Sequence, residues 1–104
     1  MAISRLYGFR PHPEKFDQCA GRVVEYKKLF ERLESRVRVF RAEDGGEPGS
    51  MVFVAEFDDW ARFGEFNAKL ESDAEFQRLQ GLDRSDPVFD LLQQSIVSEV
   101  VLPA

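Results

Sequence analysis

Residues 51–57 read Met-Val-Phe-Val-Ala-Glu-Phe and are apolar on both faces of a strand. Side chains alternate between the two faces of a strand, so positions 51, 53, 55 and 57 would lie opposite the two intervening valines. Residues 96–102 repeat this character, with Ser98 and Glu99 as polar exceptions. A fold that contains these two strands must cover both faces of its sheet.

Two further strands are predicted before residue 51, and the second of them forms a hairpin with the strand at 51–57. A first strand is expected over 3–9, and the Arg-Pro-His-Pro segment at 10–13 would end it, because proline lacks the amide hydrogen that a sheet requires. A second strand is expected over 37–42. The Gly- and Pro-rich segment 44–49 predicts a loop that joins it to the third strand, 51–57, as an antiparallel hairpin.

The spacing of apolar residues predicts a first helix that begins near Pro13. Its buried stripe would comprise Phe16, Cys19, Ala20, Val23, Val24, Phe30 and Leu33. Its solvated face would comprise Asp17, Gln18, Arg22, Glu25, Lys28, Glu31 and Arg32. Cys19, on the stripe, is expected to be a small buried apolar residue.

A second helical region lies between the third and the last strand. Asp58 is a suitable N-cap for its first helix. The apolar residues of that helix are Trp60, Phe63, Phe66 and Leu70. The Ser-Asp-Ala-Glu segment at 72–75 has the form of a capping box and predicts a helix restart, which Gly81 would end. Asp86-Pro87 then predicts a short helical turn over 88–92.

The resulting order, β-α-β-β-α-β, predicts one α+β domain over residues 1–104. Its architecture would be ferredoxin-like, a four-stranded antiparallel sheet with helices on one face. The other face would be open to water although the strands at 51–57 and 96–102 carry apolar residues there. Covering that face with a second copy of the chain across a two-fold axis solves the problem, so we expect a homodimer.

Composition excludes several classes of protein. The net charge of -5 argues against nucleic-acid binding, which requires a basic surface. No apolar run approaches the roughly 18–20 residues that span a bilayer, and the N-terminal residues show no signal-peptide pattern. A single cysteine cannot form an internal disulfide, and no Cys/His cluster is present to hold zinc. We therefore expect a cytoplasmic protein with no metal and no membrane partner.

The whole chain resembles the dimeric α+β barrel superfamily. The resemblance rests on the element order, on the segment from Met51 to Trp60 and on the helix restart from Ser72 to Gln77. Members include antibiotic-biosynthesis-type monooxygenases, haem-degrading enzymes, small polyketide cyclases and muconolactone-isomerase-like proteins, whose subunits pack sheet to sheet. The haem degraders carry an axial histidine on the second long helix, and the corresponding stretch here, 60–79, has none. We therefore expect no haem and no other cofactor.

Three side chains are candidate catalytic groups. His12 is the only histidine, and histidine is the side chain that titrates near neutrality without perturbation. Tyr7 offers a phenol that could donate a hydrogen bond to a bound carbonyl. Asn67 shares a helix face with Trp60 and could orient a substrate oxygen, a pairing similar to that of cofactor-independent monooxygenases. The structural alternatives are a loop residue for His12, a backbone-satisfied buried phenol for Tyr7 and a solvated helix edge for Asn67.

Three further side chains are candidate substrate-binding groups. Trp60 and Phe63 could wall an aromatic pocket, and Arg38, which shares a strand face with Phe40, could bind an anionic ligand bidentately. The alternatives are that the two aromatic side chains are core residues and that Arg38 pairs with an acid such as Glu56.

Two functions fit these residues. One is a cofactor-independent monooxygenase, or a cyclase or isomerase, acting on a small apolar or aromatic metabolite. The other is a non-catalytic dimeric ligand-binding or stress-related module. A cavity of several hundred cubic ångströms lined by at least two of four polar residues would favour the enzyme, and a filled interior the module. The four residues are Tyr7, His12, Arg38 and Asn67.

Overall fold

The computed structural model describes residues 1–45, 47 and 49–103. Four strands form one antiparallel sheet in the order β2-β3-β1-β4. The strands are β1 (Ile3–Pro11), β2 (Arg36–Arg41), β3 (Met51–Phe57) and β4 (Phe89–Ser98). The predicted hairpin of β2 and β3 is confirmed, and the Ala42 amide donates to the Ser50 carbonyl at its loop end, 2.9 Å. Gly46 and Pro48 of the predicted 44–49 loop, and Ala104, lie outside the described residues.

The described helices all pack on one face of this sheet. A 3-10 turn over Pro13–Lys15 leads into α1 (Phe16–Arg32), and α2 (Trp60–Glu71) and α3 (Ala74–Ser85) follow β3. The α+β ferredoxin-like fold expected from the sequence is thereby confirmed. None of the helices in the described part of the chain is long and apolar enough to cross a membrane.

An aromatic cluster joins the sheet to the helices. The ring centroid of Phe30 on α1 lies 5.2 Å from that of Phe53 on β3 and 4.9 Å from that of Phe66 on α2. The Phe66 ring in turn lies 4.8 Å from Phe57. These four side chains are buried, and tilted or edge-on contacts of this kind add to the stabilisation that burial alone provides.

The first strand continues two residues beyond the predicted end. Pro11 pairs with Phe89 of β4, and the next amide, of His12, donates to the Val88 carbonyl, 2.9 Å. Amides alternate in direction along a strand, so the missing amide hydrogen of Pro11 would point towards β3. Since pairing with β3 stops at Phe9, opposite Met51, no hydrogen bond is lost there.

The prediction for the last strand was wrong in position. Residues 89–92 were expected in a helical turn, but β4 runs over Phe89–Ser98 because β1 offers an unpaired edge there. Pairing ends where Ser98 lies opposite Ile3, since β1 begins at that residue. The apolar residues 100–102 therefore follow the strand and are exposed.

Two helix boundaries also differ from the prediction. Asp59, not Asp58, caps α2, and its carboxylate accepts from the Arg62 amide, 2.8 Å. The restart after Ser72 is confirmed, but α3 continues through Gly81 to Ser85. A glycine in a helix interior lowers the stability of the helix but does not end it. The helix α3 ends shortly before Pro87, because a proline disfavours helical geometry in the residue before it.

The two-sided character of β3 is confirmed. Phe53, Ala55 and Phe57 are buried under the helices. Val52 and Val54 lie on the opposite, open face. Their neighbours on that face include Leu6 of β1 and Phe40 of β2, and Val97 of β4 lies on it as well. The homodimer expected through this face stays a prediction.

Asp73 at the start of α3 allows a test of helix capping. Its carboxylate accepts from the Phe76 amide (3.0 Å) and pairs with Arg32 (2.8 Å), so we expect Asp73→Ala to lower the free energy of unfolding by about 1 kcal/mol at neutral pH. These contacts, led by the one from Arg32, hold the pKa of Asp73 below its usual range. The contribution is therefore present at neutral pH and is lost as the pH falls through that lowered pKa.

Urea unfolding of both proteins from pH 7 down to about pH 2 measures this difference. Asp59→Ala is the matched control, because it removes a cap bond from α2 without an arginine partner at the carboxylate. A wild-type advantage that stays constant on acidification would contradict the assignment.

Candidate functional site

A cavity of about 390 Å³ lies between the sheet and the helices α1 and α3. This volume is within the range of small-molecule sites. Leu91 and Ile96 of β4 share the helix-facing side of the sheet, yet each is 49% exposed. The helical layer therefore does not close over this edge strand, and the cavity opens there.

Two ion pairs of exposed arginines connect α3 with α1. Arg32, at the end of α1, pairs with Asp73, which precedes α3. Arg78 of α3 pairs with Glu25 in the middle of α1, so the two helices run antiparallel. These pairs fit the position of α3 beside α1, and room remains between α3 and the outer part of the sheet.

Most of the cavity wall is aromatic or aliphatic. The apolar lining residues are Tyr7, Phe9, Val23, Phe30, Phe53, Phe76, Pro87, Val88, Phe89 and Leu91. Aromatic walls of this kind bind flat, apolar ligands through burial and ring contacts.

Arg5 supplies a positive charge to the cavity. Its guanidinium carbon lies 5.2 Å from the centroid of the Tyr7 ring, and its Nη1 is 3.5 Å from Oδ1 of Asn67 on α2. No carboxylate of the described residues lies within 4.0 Å of the Arg5 guanidinium. This group therefore has hydrogen-bond donors left for a ligand oxygen.

The Tyr7 hydroxyl is a second donor in the same region. Burial raises the pKa of Tyr7, and the nearby Arg5 only partly offsets this, so the phenol stays protonated. None of the side-chain hydrogen bonds found within the described part of the chain uses this hydroxyl. We call Arg5 and the Tyr7 hydroxyl the donor end of the cavity.

A buried polar network forms another part of the wall. Arg22 donates to Asp83 (Nη1–Oδ1, 2.8 Å) and to the Asp86 carbonyl (3.1 Å). The Tyr26 hydroxyl donates to Oδ2 of Asp83, 2.5 Å, and accepts from Nε2 of Gln80, 2.9 Å. Burial and the bond to Asp83 raise the pKa of Tyr26 strongly, so its hydroxyl is neutral. We call Tyr26 and Asp83, which both line the cavity, the acceptor end.

The prediction that Arg22 lies on the solvated face of α1 was wrong. Arg22 is 7% exposed, whereas Phe16 and Val24 of the predicted buried stripe are about half exposed. The shift occurs because α3 packs beside α1 and supplies a carboxylate, which compensates the burial of a guanidinium. Cys19, one turn earlier, is buried as expected.

His12 lies outside the cavity lining. Its Nε2 is 3.0 Å from Oδ1 of Asp90, just beyond the end of β1. The hydrogen bond from the His12 ring is the main reason why the pKa of Asp90 lies below its usual range. Asp90 pairs with Arg10 on the open face, so the imidazole contacts that side of the sheet and not the aromatic cavity.

Four other predicted residues take different positions. Trp60 is 54% exposed and contacts Phe63, whose ring packs in the core 5.2 Å from Phe57. Neither lines the cavity, whereas Asn67 reaches it indirectly through Arg5. Arg38 lies on the open face and pairs with Glu56, 3.1 Å, as its structural alternative anticipated.

The sequence interpretation missed most polar residues of the cavity. Arg5 carried a usable signal, because it occupies an inward-facing position between Ile3 and Tyr7 on β1. Asp83 and Gln80 carried none, since their partners on α1 are more than fifty residues away in the sequence. Among the described residues, no group of three or more potential ligands could hold a metal ion.

Comparison with solved structures identifies the fold class. The chain matches a NIPSNAP domain protein from Burkholderia xenovorans with a TM-score of 0.72 and 16% identity, over 100% of this chain and 99% of that one. It matches a NIPSNAP family protein from Agrobacterium tumefaciens with a TM-score of 0.71 and 15% identity, over 96% and 94% of the two chains. A candidate antibiotic biosynthesis monooxygenase from Bordetella bronchiseptica gives 0.66 and 17%, over 96% and 98%.

These likenesses show the ferredoxin-like α+β fold. No family model matches the sequence. No curated protein matches it either. A shared fold does not determine the function, which depends on the residues of the site.

The Arg22–Asp83 pair generates a test of the cavity wall. We expect Arg22→Ala to lower the free energy of unfolding by about 3 kcal/mol, because it leaves a partly buried carboxylate without its charged partner. Arg32→Ala removes an ion pair of the same length, 2.8 Å, from an exposed arginine and should cost at most about 1 kcal/mol. Chemical denaturation measures both losses, and equal losses would contradict the role assigned to burial.

Proposed function

We propose that the cavity binds a small aromatic metabolite with an anionic or ionisable oxygen, and that the protein acts on it as a cofactor-independent monooxygenase or as a cyclase or isomerase. The observation that carries this proposal is the combination of an aromatic cavity with Arg5, a guanidinium without a carboxylate partner in the described structure. Structures of similar fold include a candidate antibiotic biosynthesis monooxygenase, which supports the class of reaction.

The donor end suits reactions that pass through a resonance-stabilised anion. When a phenol or an enolisable ketone loses its proton to solvent, the negative charge is carried mainly by oxygen. A guanidinium and a phenol hydroxyl in an apolar cavity stabilise such an oxyanion more than water does. The aromatic walls hold the ring system in place while this occurs.

Both reaction classes use the same anion in different ways. In a monooxygenase reaction, molecular oxygen attacks the carbanion carbon: a CH₂ group becomes C=O, one oxygen atom is retained and the other leaves as water. In a cyclase or isomerase reaction, the carbanion attacks a carbon of the same molecule or is reprotonated elsewhere, with no oxidant.

The second candidate is a non-catalytic ligand-binding or stress-related module. It is favoured by the fact that, of the four polar residues expected to converge on a cavity, Tyr7 alone lines it. Oxygen uptake and product analysis with enolisable aromatic ketones separate these functions. Oxygen consumption supports the monooxygenase, conversion without it supports the cyclase or isomerase, and binding without conversion supports the module.

Arg5→Gln tests the binding site. We expect wild-type protein to bind 2-naphthoate, and we expect the variant to bind it about 10- to 100-fold more weakly, because a charge-assisted hydrogen bond is lost. Titration calorimetry measures both affinities. Arg41→Gln makes the same change on β2, where the guanidinium pairs with Glu43, and should bind as the wild type does. Equal affinity of wild type and Arg5→Gln would contradict the site.

We further propose that the open face of the sheet forms a homodimer. Leu6, Val52 and Val54 lie at its centre, whereas Arg36 and Arg38 pair with Glu56 towards its β2 edge. An apolar centre with a charged rim is the usual composition of a protein interface.

Sedimentation tests the dimer directly. We expect a species of about 24 kDa, twice the 12.0 kDa of the chain. Val54→Ala should lower the melting temperature, and the loss should grow as the protein is diluted, because folding and association are coupled. Val24→Ala, at a half-exposed valine on α1, is the control and should show no such dependence. A monomer at micromolar concentration would overturn the proposal.

A further inference from the structure

The cavity presents opposite hydrogen-bonding character at its two ends. Arg5, of the donor end, lies near the start of β1 and contacts α2 through Asn67. Asp83, of the acceptor end, lies in the last turn of α3. Five residues later, the Val88 carbonyl accepts a hydrogen bond from the His12 amide. Since His12 follows β1, the end of α3 lies near the end of β1 that is opposite to Arg5. Lining residues Arg5 and Phe9 on β1 are four positions apart, so the cavity extends about 13 Å along that strand.

Tyr26 and Asp83 at the acceptor end have lone pairs that no donor among the described residues uses. Asp83 is an acceptor on both oxygens, so the proton of the Tyr26 hydroxyl must lie between the two groups. One lone pair of Tyr26 then receives the Gln80 amide, and one is left. The Asp83 carboxylate, with about four acceptor positions, uses one for Tyr26 and one for Arg22.

The free positions of Tyr26 and Asp83 therefore accept hydrogen bonds and donate none, whereas the Gln80 amide keeps a second hydrogen. Arg22 is occupied by Asp83 and by the Asp86 carbonyl and does not line the cavity. A ligand oxygen without a hydrogen would face the lone pairs of Tyr26 and the charge of Asp83, which is unfavourable. A hydroxyl or amino group would instead satisfy acceptors that are partly withdrawn from water.

We infer that the ligand of this cavity is a two-ended aromatic compound, with an anionic oxygen at Arg5 and a hydroxyl or amino donor that reaches Tyr26 and Asp83. This inference rests on the proposed function, because it assigns the substrate class of the same site. The strongly raised pKa of Tyr26 supports it, since the hydroxyl stays neutral and keeps its arrangement across the working range of pH.

Three naphthalene acids test the inference on the wild-type protein. They are 2-naphthoate, 6-hydroxy-2-naphthoate and 6-methoxy-2-naphthoate, which share the carboxylate and differ at the opposite end of the ring system. We expect the hydroxy compound to bind about 3- to 10-fold more tightly than the methoxy compound, the difference made by one hydrogen bond. Titration calorimetry at neutral pH gives the three affinities.

Tyr26→Phe connects this preference to the acceptor end. We expect the variant to have a smaller preference for the hydroxy over the methoxy compound, because it removes one of the two acceptors and leaves Asp83. Tyr7→Phe is the matched control: it removes the same atom from the donor end, so it should weaken all three acids and keep the preference. If Tyr26→Phe does not fold, the comparison of the three compounds on the wild type still decides.

The outcomes separate the two proposals. Tighter binding of the hydroxy compound, reduced in Tyr26→Phe and kept in Tyr7→Phe, supports the two-ended ligand. Equal binding of the three acids by the wild type overturns it but leaves aromatic anion binding intact. A preference that is unchanged in Tyr26→Phe also overturns the assignment to this end. Failure of all three acids to bind overturns the proposed function itself, and the inference with it.

Discussion

Arg22 and Asp83 form an ion pair, 2.8 Å between Nη1 and Oδ1, that joins α1 to α3 across 61 residues of sequence. An arginine that is 7% exposed is stable only when a carboxylate and further acceptors surround it, and Asp83 together with the Asp86 carbonyl meets that need. This constraint fixes where α3 lies. Because α3 is held against α1, the sheet beside β4 stays uncovered and a cavity remains between them.

The same carboxylate also determines the chemistry of the cavity wall. One carboxylate oxygen of Asp83 accepts a hydrogen bond from Arg22, and the other accepts one from the Tyr26 hydroxyl. Asp83 therefore orients the phenol and fixes the direction of its proton. The Gln80 amide completes the arrangement from within α3. The position of α3 and the polarity of the cavity wall therefore both depend on the Arg22–Asp83 pair. The pair holds α3 against α1, and its carboxylate is one of the groups that a ligand in the cavity would contact.

The sequence predicts the sheet well and the site poorly, for physical reasons. The bounds of β3, residues 51–57, follow from alternation of apolar side chains, a local property of the chain. The position of β4 depends on which residues of β1 are left unpaired, a non-local condition, and its prediction was displaced by several residues. The cavity depends on ion pairs between helices, so Arg22 was assigned to solvent and Asp83 was not considered.

Two arginines on strands show why residue type alone does not identify a binding group. Arg38 lies opposite Val54 and diagonal to Glu56, whose carboxylate takes up its charge on the open face. Arg5 lies opposite Ala55 and Ile96, so its cross-strand neighbours offer no carboxylate. The strand pattern fixes the face on which each arginine lies, but the neighbouring strands decide whether a carboxylate is near. Arg38 forms a surface ion pair for this reason. Arg5 keeps free donors beside aromatic rings, where the loss of water strengthens its attraction for an oxyanion.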